Sequence, residues 1–230
     1  MAVSVHLNVY RETNNYFYNI NTLELYKYIL ALSFFISLGV FIWKRKDTLP
    51  YFTLFLFISV VFEFFVETYI ETKYKYNYVA YAVFGSFSVS YYFYLYMREI
   101  FQDRRISVTL ISVYLLFCVI NLYFIQGFDT FNNISYNAGM MAVVISIFVY
   151  FRKVLVKQPY FKLASLPLFW LSLGIIMFYS SAFPVLTFIN FLIELEMDLA
   201  SALYDLVQIG NIFLSLSFIC VVLCPILITK

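Results

Sequence analysis

The sequence predicts an all-α protein, a polytopic membrane bundle of about seven transmembrane helices with its N-terminus outside and its C-terminus in the cytoplasm. Three observations carry that reading. The chain is 63% hydrophobic and 12% charged, whereas a soluble domain carries about a quarter charged residues. Seven apolar runs approach the roughly 20 residues that a bilayer requires. The cations gather in alternate loops, as the positive-inside rule demands. A chain so poor in polar groups has too few to cover a core in water, and lipid removes that requirement.

The first run spans 23–43. It follows a polar, aromatic stretch over 1–20 that has no basic region ahead of an apolar core, and so does not read as a signal peptide. The others lie near 51–70, 78–97, 107–126, 136–151, 164–189 and 202–226. The fifth is the shortest, and is expected to borrow residues from both flanking loops. Polar breaks separate them, among them KRKDTLP at 44–50, REIFQDRR at 98–105 and RKVLVKQPYFK at 152–162. No loop is long enough for a soluble domain, so 1–230 reads as one transmembrane domain.

Orientation follows from the cations. Lys44, Arg45, Lys46, Arg98, Arg104, Arg105, Arg152, Lys153, Lys157, Lys162 and Lys230 fall on one side, eleven against the four of Arg11, Lys27, Lys73 and Lys75. The eleven-cation side is then cytoplasmic, and an odd number of spans gives N-out and C-in. The expected location is the cytoplasmic (inner) membrane. Tyrosines at 69, 74, 76, 78 and 81, and at 91, 92, 94 and 96, fall near the ends of runs, where aromatic belts meet the lipid headgroups.

Ionisable groups inside spans are the best pointers to function, because each costs roughly 2.5–3.5 kcal/mol near mid-bilayer on insertion scales. Glu63 and Glu67 share one face of the second helix, and Glu71 continues the stripe outward. In the seventh, Asp205, Gln208 and Asn211 follow at three-residue steps. The functional reading joins the two stripes into an outward-facing polar cavity, with Glu63 as its deepest carboxylate, suited to a cation, a proton or an amine. The plainer reading is interhelical glue, with Glu67 and Asp205 reaching the outer interface. Ser86 and Ser90, with Ala138 and Ala142, have the spacing that permits close helix approach, and Asn121, Asn137 and Asn190 are placed to hydrogen-bond between helices. Pro184 removes a backbone hydrogen bond to the Ser180 carbonyl and is expected to kink the sixth helix. Asn133-Ile134-Ser135 matches a glycosylation acceptor.

Catalytic and cofactor motifs are missing from the sequence. It contains no HExxH, no GxSxG and no phosphate loop, and its last helix has no lysine for a retinal Schiff base. The lone His6 and the cysteines Cys118, Cys220 and Cys224 fit neither a zinc site nor a disulfide framework. No cofactor, metal or nucleic-acid partner is expected, and the balance leans away from an enzyme.

One segment carries a family resemblance. Phe169, Trp170, Gly174, Phe178, Tyr179 and Pro184, together with YYFYLYMREIF at 91–101, resemble the sixth-helix region and third-helix end of an uncharacterised family of small seven-helix integral membrane proteins found mostly in Bacteroidota. The resemblance implies a seven-helix protein linked to membrane signalling through a neighbouring sensor kinase, and transfers no catalytic residue. The sequence therefore favours a sensory or signalling module whose output passes through a separate cytoplasmic partner. A small-solute or ion transporter is the alternative, and a membrane-embedded lipid enzyme ranks last.

Overall fold

The computed structural model describes residues 25–65, 78–128, 131–157, 163–195 and 197–227. Among them the protein is entirely helical. Its helices are α1 (Leu25–Lys44), α2 (Phe52–Phe65), α3 (Tyr78–Phe101), α4 (Arg104–Ile120), α5 (Asn133–Lys157), α6 (Pro167–Leu195) and α7 (Met197–Leu227). A π-helical turn, Asn121–Ile125, prolongs α4, and a 3₁₀ turn, Leu163–Ser165, precedes α6. Each apolar run of the sequence lies on one of these helices. The fifth is not short: α5 has 25 residues and takes in both flanking segments.

Five helical segments are long and apolar enough to cross a membrane: Leu25–Lys44, Arg104–Ile125, Asn133–Val156, Pro167–Phe188 and Asp205–Cys224. The described part of α2 is apolar but has 14 residues. α3 has 24 residues, but its tyrosines and serines lower its hydropathy. A helical chain with five such segments has the make-up of a multi-pass membrane protein.

The helices close into a ring. α1 packs on α2 and α7, α7 on α6, α6 on α5, and α5 on α3. Rings complete the circuit from α2 to α3: Phe55 stacks on Tyr91 with centroids 4.2 Å apart, and Phe62 on Phe84 at 3.8 Å. α4 lies outside the ring against α3 and α5. Only 11% of its spanning window is buried, so its apolar surface is left to lipid.

Two close approaches shape the ring. α6 and α7 run antiparallel and exchange small residues at seven-residue intervals. Gly174 faces Ser217, and Ser181 faces Gly210. Between α3 and α5, Gly85 lies under the Tyr136 ring, and Gly139 meets Val89 and, from α4, Tyr114. The glycines make this second approach rather than the pairing of Ser86 and Ser90 with Ala138 and Ala142, since Ala138 is exposed. Many serine hydroxyls are satisfied within their own helices: Ser59 donates to the Phe55 carbonyl at 2.9 Å, Ser88 to Phe84 at 2.9 Å and Ser217 to Leu214 at 2.7 Å. In lipid this local bond stands in for the missing water.

Corners use side-chain caps. Asp103 N-caps α4 by accepting from the Arg105 amide at 2.8 Å. Lys153 on α5 donates to the terminal carbonyls of α3, Glu99 at 2.8 Å and Ile100 at 2.5 Å, where a cation complements the helix dipole.

Candidate functional site

The buried face of α2 repeats every three or four residues through Phe52, Phe55, Leu56, Ser59 and Glu63. That periodicity carries Glu63 inward with the apolar stripe, so a carboxylate only 2% exposed sits in the bundle. The Tyr26 hydroxyl, on the first turn of α1, donates to Glu63 Oε2 at 2.8 Å. Such a charge-assisted bond offsets part of the desolvation cost.

Beside this pair lies a cavity of about 20 Å³ between α1, α2, α3 and α7, with room for one or two water molecules. Its polar lining is Glu63, Ser59, Tyr26, Tyr92 and Ser215, and Leu30, Phe55, Phe84, Leu214 and Phe218 close its apolar wall. Phe55 meets the Phe218 ring edge-on at 6.1 Å and the Tyr92 ring at 5.5 Å, which fixes the wall against repacking.

Further tyrosines extend the polar interior. Tyr92, Tyr136 and Tyr179 are buried on α3, α5 and α6. Tyr96 and Ser172 share a hydrogen bond of 2.7 Å between α3 and α6. The belt expectation therefore fails for Tyr81, Tyr91, Tyr92 and Tyr96, each 9% exposed or less. They lie on the inward face of α3, where Tyr91 donates to the Pro50 carbonyl at 2.9 Å and Tyr96 pairs with Ser172. Tyr69, Tyr74 and Tyr76 lie outside the described residues.

The sequence candidates separate. Glu63 lines the cavity, and α7 reaches it through Ser215, one turn along from Asn211. Asn211 and Gln208 are buried, at 0% and 5% exposure, and all four of their amide atoms lack hydrogen-bond partners, as do the Tyr92 and Tyr179 hydroxyls. Neither amide lines the cavity. Asp205 does not line it either, because it is exposed, three residues before Gln208. Glu67 lies outside the described residues. Pro184 sits at an exposed position inside α6, which continues through it as far as Leu195.

Tyr26, Ser59 and Ser215 escaped the sequence reading. Ser59 was recoverable, since it stands four residues before Glu63 on the same face. Tyr26 was not, because its role depends on how α1 packs on α2. Lys27 escaped too: it is 7% exposed, and its ammonium lies 5.9 Å from the Tyr26 ring centroid. A second polar cluster joins α4, α5 and α6. The Asn121 amide donates to Gln126 at 2.7 Å, to Ser135 at 3.2 Å and to Asn132. Asn137 reaches Thr187 at 3.0 Å, an interhelical bond of the kind expected. Asn133 donates its amide to the Thr187 carbonyl at 3.0 Å, and Ser135 is 1% exposed. The glycosylation acceptor is thus engaged in packing.

Among the described residues no three His, Cys, Asp or Glu side chains gather into a metal site, and the three cysteines are free thiols. No protein-family model, curated protein or solved structure matches the chain.

Proposed function

We propose that the chain is a seven-span protein of the cytoplasmic membrane, N-out and C-in, that works as a sensory or signalling module. Its input is the polar cavity at Glu63, in the outer half of the bundle, and its output passes through the basic inner loops to a separate cytoplasmic protein such as a sensor kinase. The observation that carries this reading is Glu63 itself, a carboxylate 2% exposed, held by Tyr26 beside a small cavity. An ionisable group buried at that depth is costly and marks a working site by default. The asymmetry of eleven cations against four supports the orientation.

The test is complementation of a gene deletion in the native host. Glu63→Gln is expected to fail while accumulating at the wild-type level, and crosslinking through the inner loops is expected to capture a kinase. Full rescue by Glu63→Gln would refute the reading. Reporter fusions after Lys46 and at the C-terminus are expected to place both in the cytoplasm.

A transporter is the second reading, and one observation favours it. Between α1 and α2 a buried polar seam leads away from Glu63 through Ser33 and Ser37. The Ser37 hydroxyl meets Thr53 at 2.8 Å, and Thr53 donates to Asp47 at 2.5 Å. Solute uptake into vesicles that Glu63→Gln abolishes would select this reading.

A further inference from the structure

We infer that the corner where α3 and α5 end and α4 begins binds an acidic phospholipid, its phosphate held by arginines and its acyl chains laid along α4. Two contacts fix the corner. Asp103 caps α4 two residues after α3 ends, and the Lys153 ammonium on α5 sits on the last carbonyls of α3, those of Glu99 and Ile100. Around it Arg98, Arg104, Arg105 and Arg152 are all exposed. Among the described residues none of their guanidinium groups takes part in an ion pair or a hydrogen bond. The two carboxylates of the corner do not balance these cations. Asp103 accepts from the Arg105 amide, and Glu99 brings one charge. Lys153 is committed to the α3 carbonyls, so the free cations are arginines. Their planar fork suits a phosphate group, which it grips at two points where an ammonium acts as a point charge.

The surface that adjoins the arginines selects a lipid. From the corner α4 runs into the membrane with only 11% of its spanning window buried. Arg105, Val108, Ser112, Leu115 and Val119 follow one another at three- or four-residue steps and are all exposed, so they form one stripe headed by a cation. Ser112 adds no polarity to that stripe, since its hydroxyl is turned to the Val108 carbonyl at 3.0 Å. The contacts of α4 with α5 lie toward its far end, where Tyr114 meets Gly139 and Ser135, and Asn121 meets Ser135 and Asn132. A ligand with an anionic head and apolar chains matches both parts of this surface. A free phosphate or an acidic peptide would match the arginines alone. Cations at a membrane surface attract acidic headgroups, and the attraction fades within a Debye length. The site is separate from the Glu63 cavity and does not depend on how that cavity is read.

The test titrates the full-length protein in detergent micelles with phosphatidylglycerol or with phosphatidylcholine of the same chains, and native mass spectrometry counts the bound lipid. The first phosphatidylglycerol is expected to bind at least tenfold more tightly than phosphatidylcholine. Arg105→Gln should weaken it roughly fivefold, the scale of one surface cation, and Arg104→Gln with Arg105→Gln more than tenfold. Replacing Lys44, Arg45 and Lys46 together by Gln removes more charge from a different loop, and should change the affinity less than about twofold. A second measurement places the chains. In vesicles, Leu115→Trp should be quenched more by brominated-chain phosphatidylglycerol than by the brominated phosphatidylcholine, and Arg104→Gln with Arg105→Gln should remove the preference. Equal affinity for the two lipids overturns the inference, and so does an equal loss in the Lys44–Lys46 variant. Competition by inorganic phosphate at similar affinity would make the corner a site for free anions and overturn it too. A crosslink from the corner to a cytoplasmic protein, with no preference between the lipids, would assign the arginines to that protein instead.

Discussion

Adding one methyl group at three glycines is expected to have effects of different sign and size, and the contrast tests how α6 and α7 are held. A Cβ built on Gly174 would stand 2.5 Å from Ser217 Cβ and 3.2 Å from Leu214 Cα. Carbon atoms prefer about 3.5–4.0 Å, so α6 and α7 would have to separate by roughly an ångström. Ser217 Oγ, at 2.1 Å, can rotate away, but Ser217 Cβ and Leu214 Cα cannot. Overpacking of this kind costs about 1–3 kcal/mol, and the gain in helix propensity from glycine to alanine returns about 1 kcal/mol. A displacement of an ångström belongs in the upper half of the first range, about 2–3 kcal/mol, so Gly174→Ala should lose about 1–2 kcal/mol. At Gly210 the Cβ would lie 2.0 Å from Ser181 Oγ, 3.1 Å from Phe178 Cα and 3.3 Å from Ser181 Cβ; the hydroxyl can rotate away at the loss of its bond to the Phe178 carbonyl and the carbon contacts fall less short, so Gly210→Ala should lose about 1 kcal/mol or less. Gly39 has nothing within 4 Å, and Gly39→Ala should gain about 0.5–1 kcal/mol. Reversible unfolding in mixed micelles, read from Trp170 fluorescence, gives all three. Ser217→Gly in the Gly174→Ala background should recover most of the loss, which a double-mutant cycle reports as coupling. The reasoning fails if Gly174→Ala is as stable as the wild type, or if Gly39→Ala loses as much.

Four other substitutions probe three contacts by the same unfolding measurement. Tyr26→Phe removes the hydroxyl that donates to Glu63 at 2.8 Å and should cost about 1.5–3 kcal/mol, the range for bonds to charged groups. Tyr96→Phe and Ser172→Ala delete the two ends of one 2.7 Å bond; their cycle should show coupling of about 0.6 kcal/mol and no more than about 1.7, as for other membrane helices. Asn121→Ala strips the polar cluster between α4 and α5 of its shared donor, and should cost about 1–3 kcal/mol with hydrogen exchange rising first at the α4–α5 corner.

Helix number and position were legible because they follow from one-dimensional hydropathy, and the seven runs fall on the seven described helices. What the sequence hid was the direction in which each helix faces. The apolar runs are hydrophobic on every side, so lipid-facing and inward-facing residues look alike. That is why the α3 tyrosines read as a belt, although Ser88, Tyr92 and Tyr96, spaced four apart, form one buried face. The site was half legible. Glu63 stands out in any hydropathy scan, since a carboxylate in an apolar run is costly wherever it points. Its hydroxyl neighbours Tyr26 and Ser215 are common in such helices, and only the packing of α1 and α7 against α2 singles them out. Asp205 misled for the same reason: a three-residue step from Gln208 turns the helix by about 60° short of a full turn, enough to carry the first residue of the stripe out to the exposed side.

The α6–α7 contact and the cavity share α7, and this makes a further prediction. Ser217 and Gly210 face α6, while Leu214, Ser215 and Phe218 face Glu63. Leu214 belongs to both sets, for its Cα is the backbone atom nearest a Cβ at Gly174, and its side chain is a wall of the cavity. A methyl group at Gly174 pushes against that backbone and so moves the wall. At Gly210 the nearest backbone is that of Phe178, on the other helix, and the cavity is not touched directly. Gly174→Ala is therefore expected to shift the infrared band of the Glu63 carboxyl group, identified by its loss in Glu63→Gln, and Gly210→Ala to leave it close to the wild-type position. The band reports the surroundings of that group and is separate from the stability read by unfolding. If Gly174→Ala lowers stability yet leaves the band unchanged, Leu214 does not link the two. The tight α6–α7 pair would then only hold the bundle together, and a signal leaving the cavity would have to travel through α1 and α2.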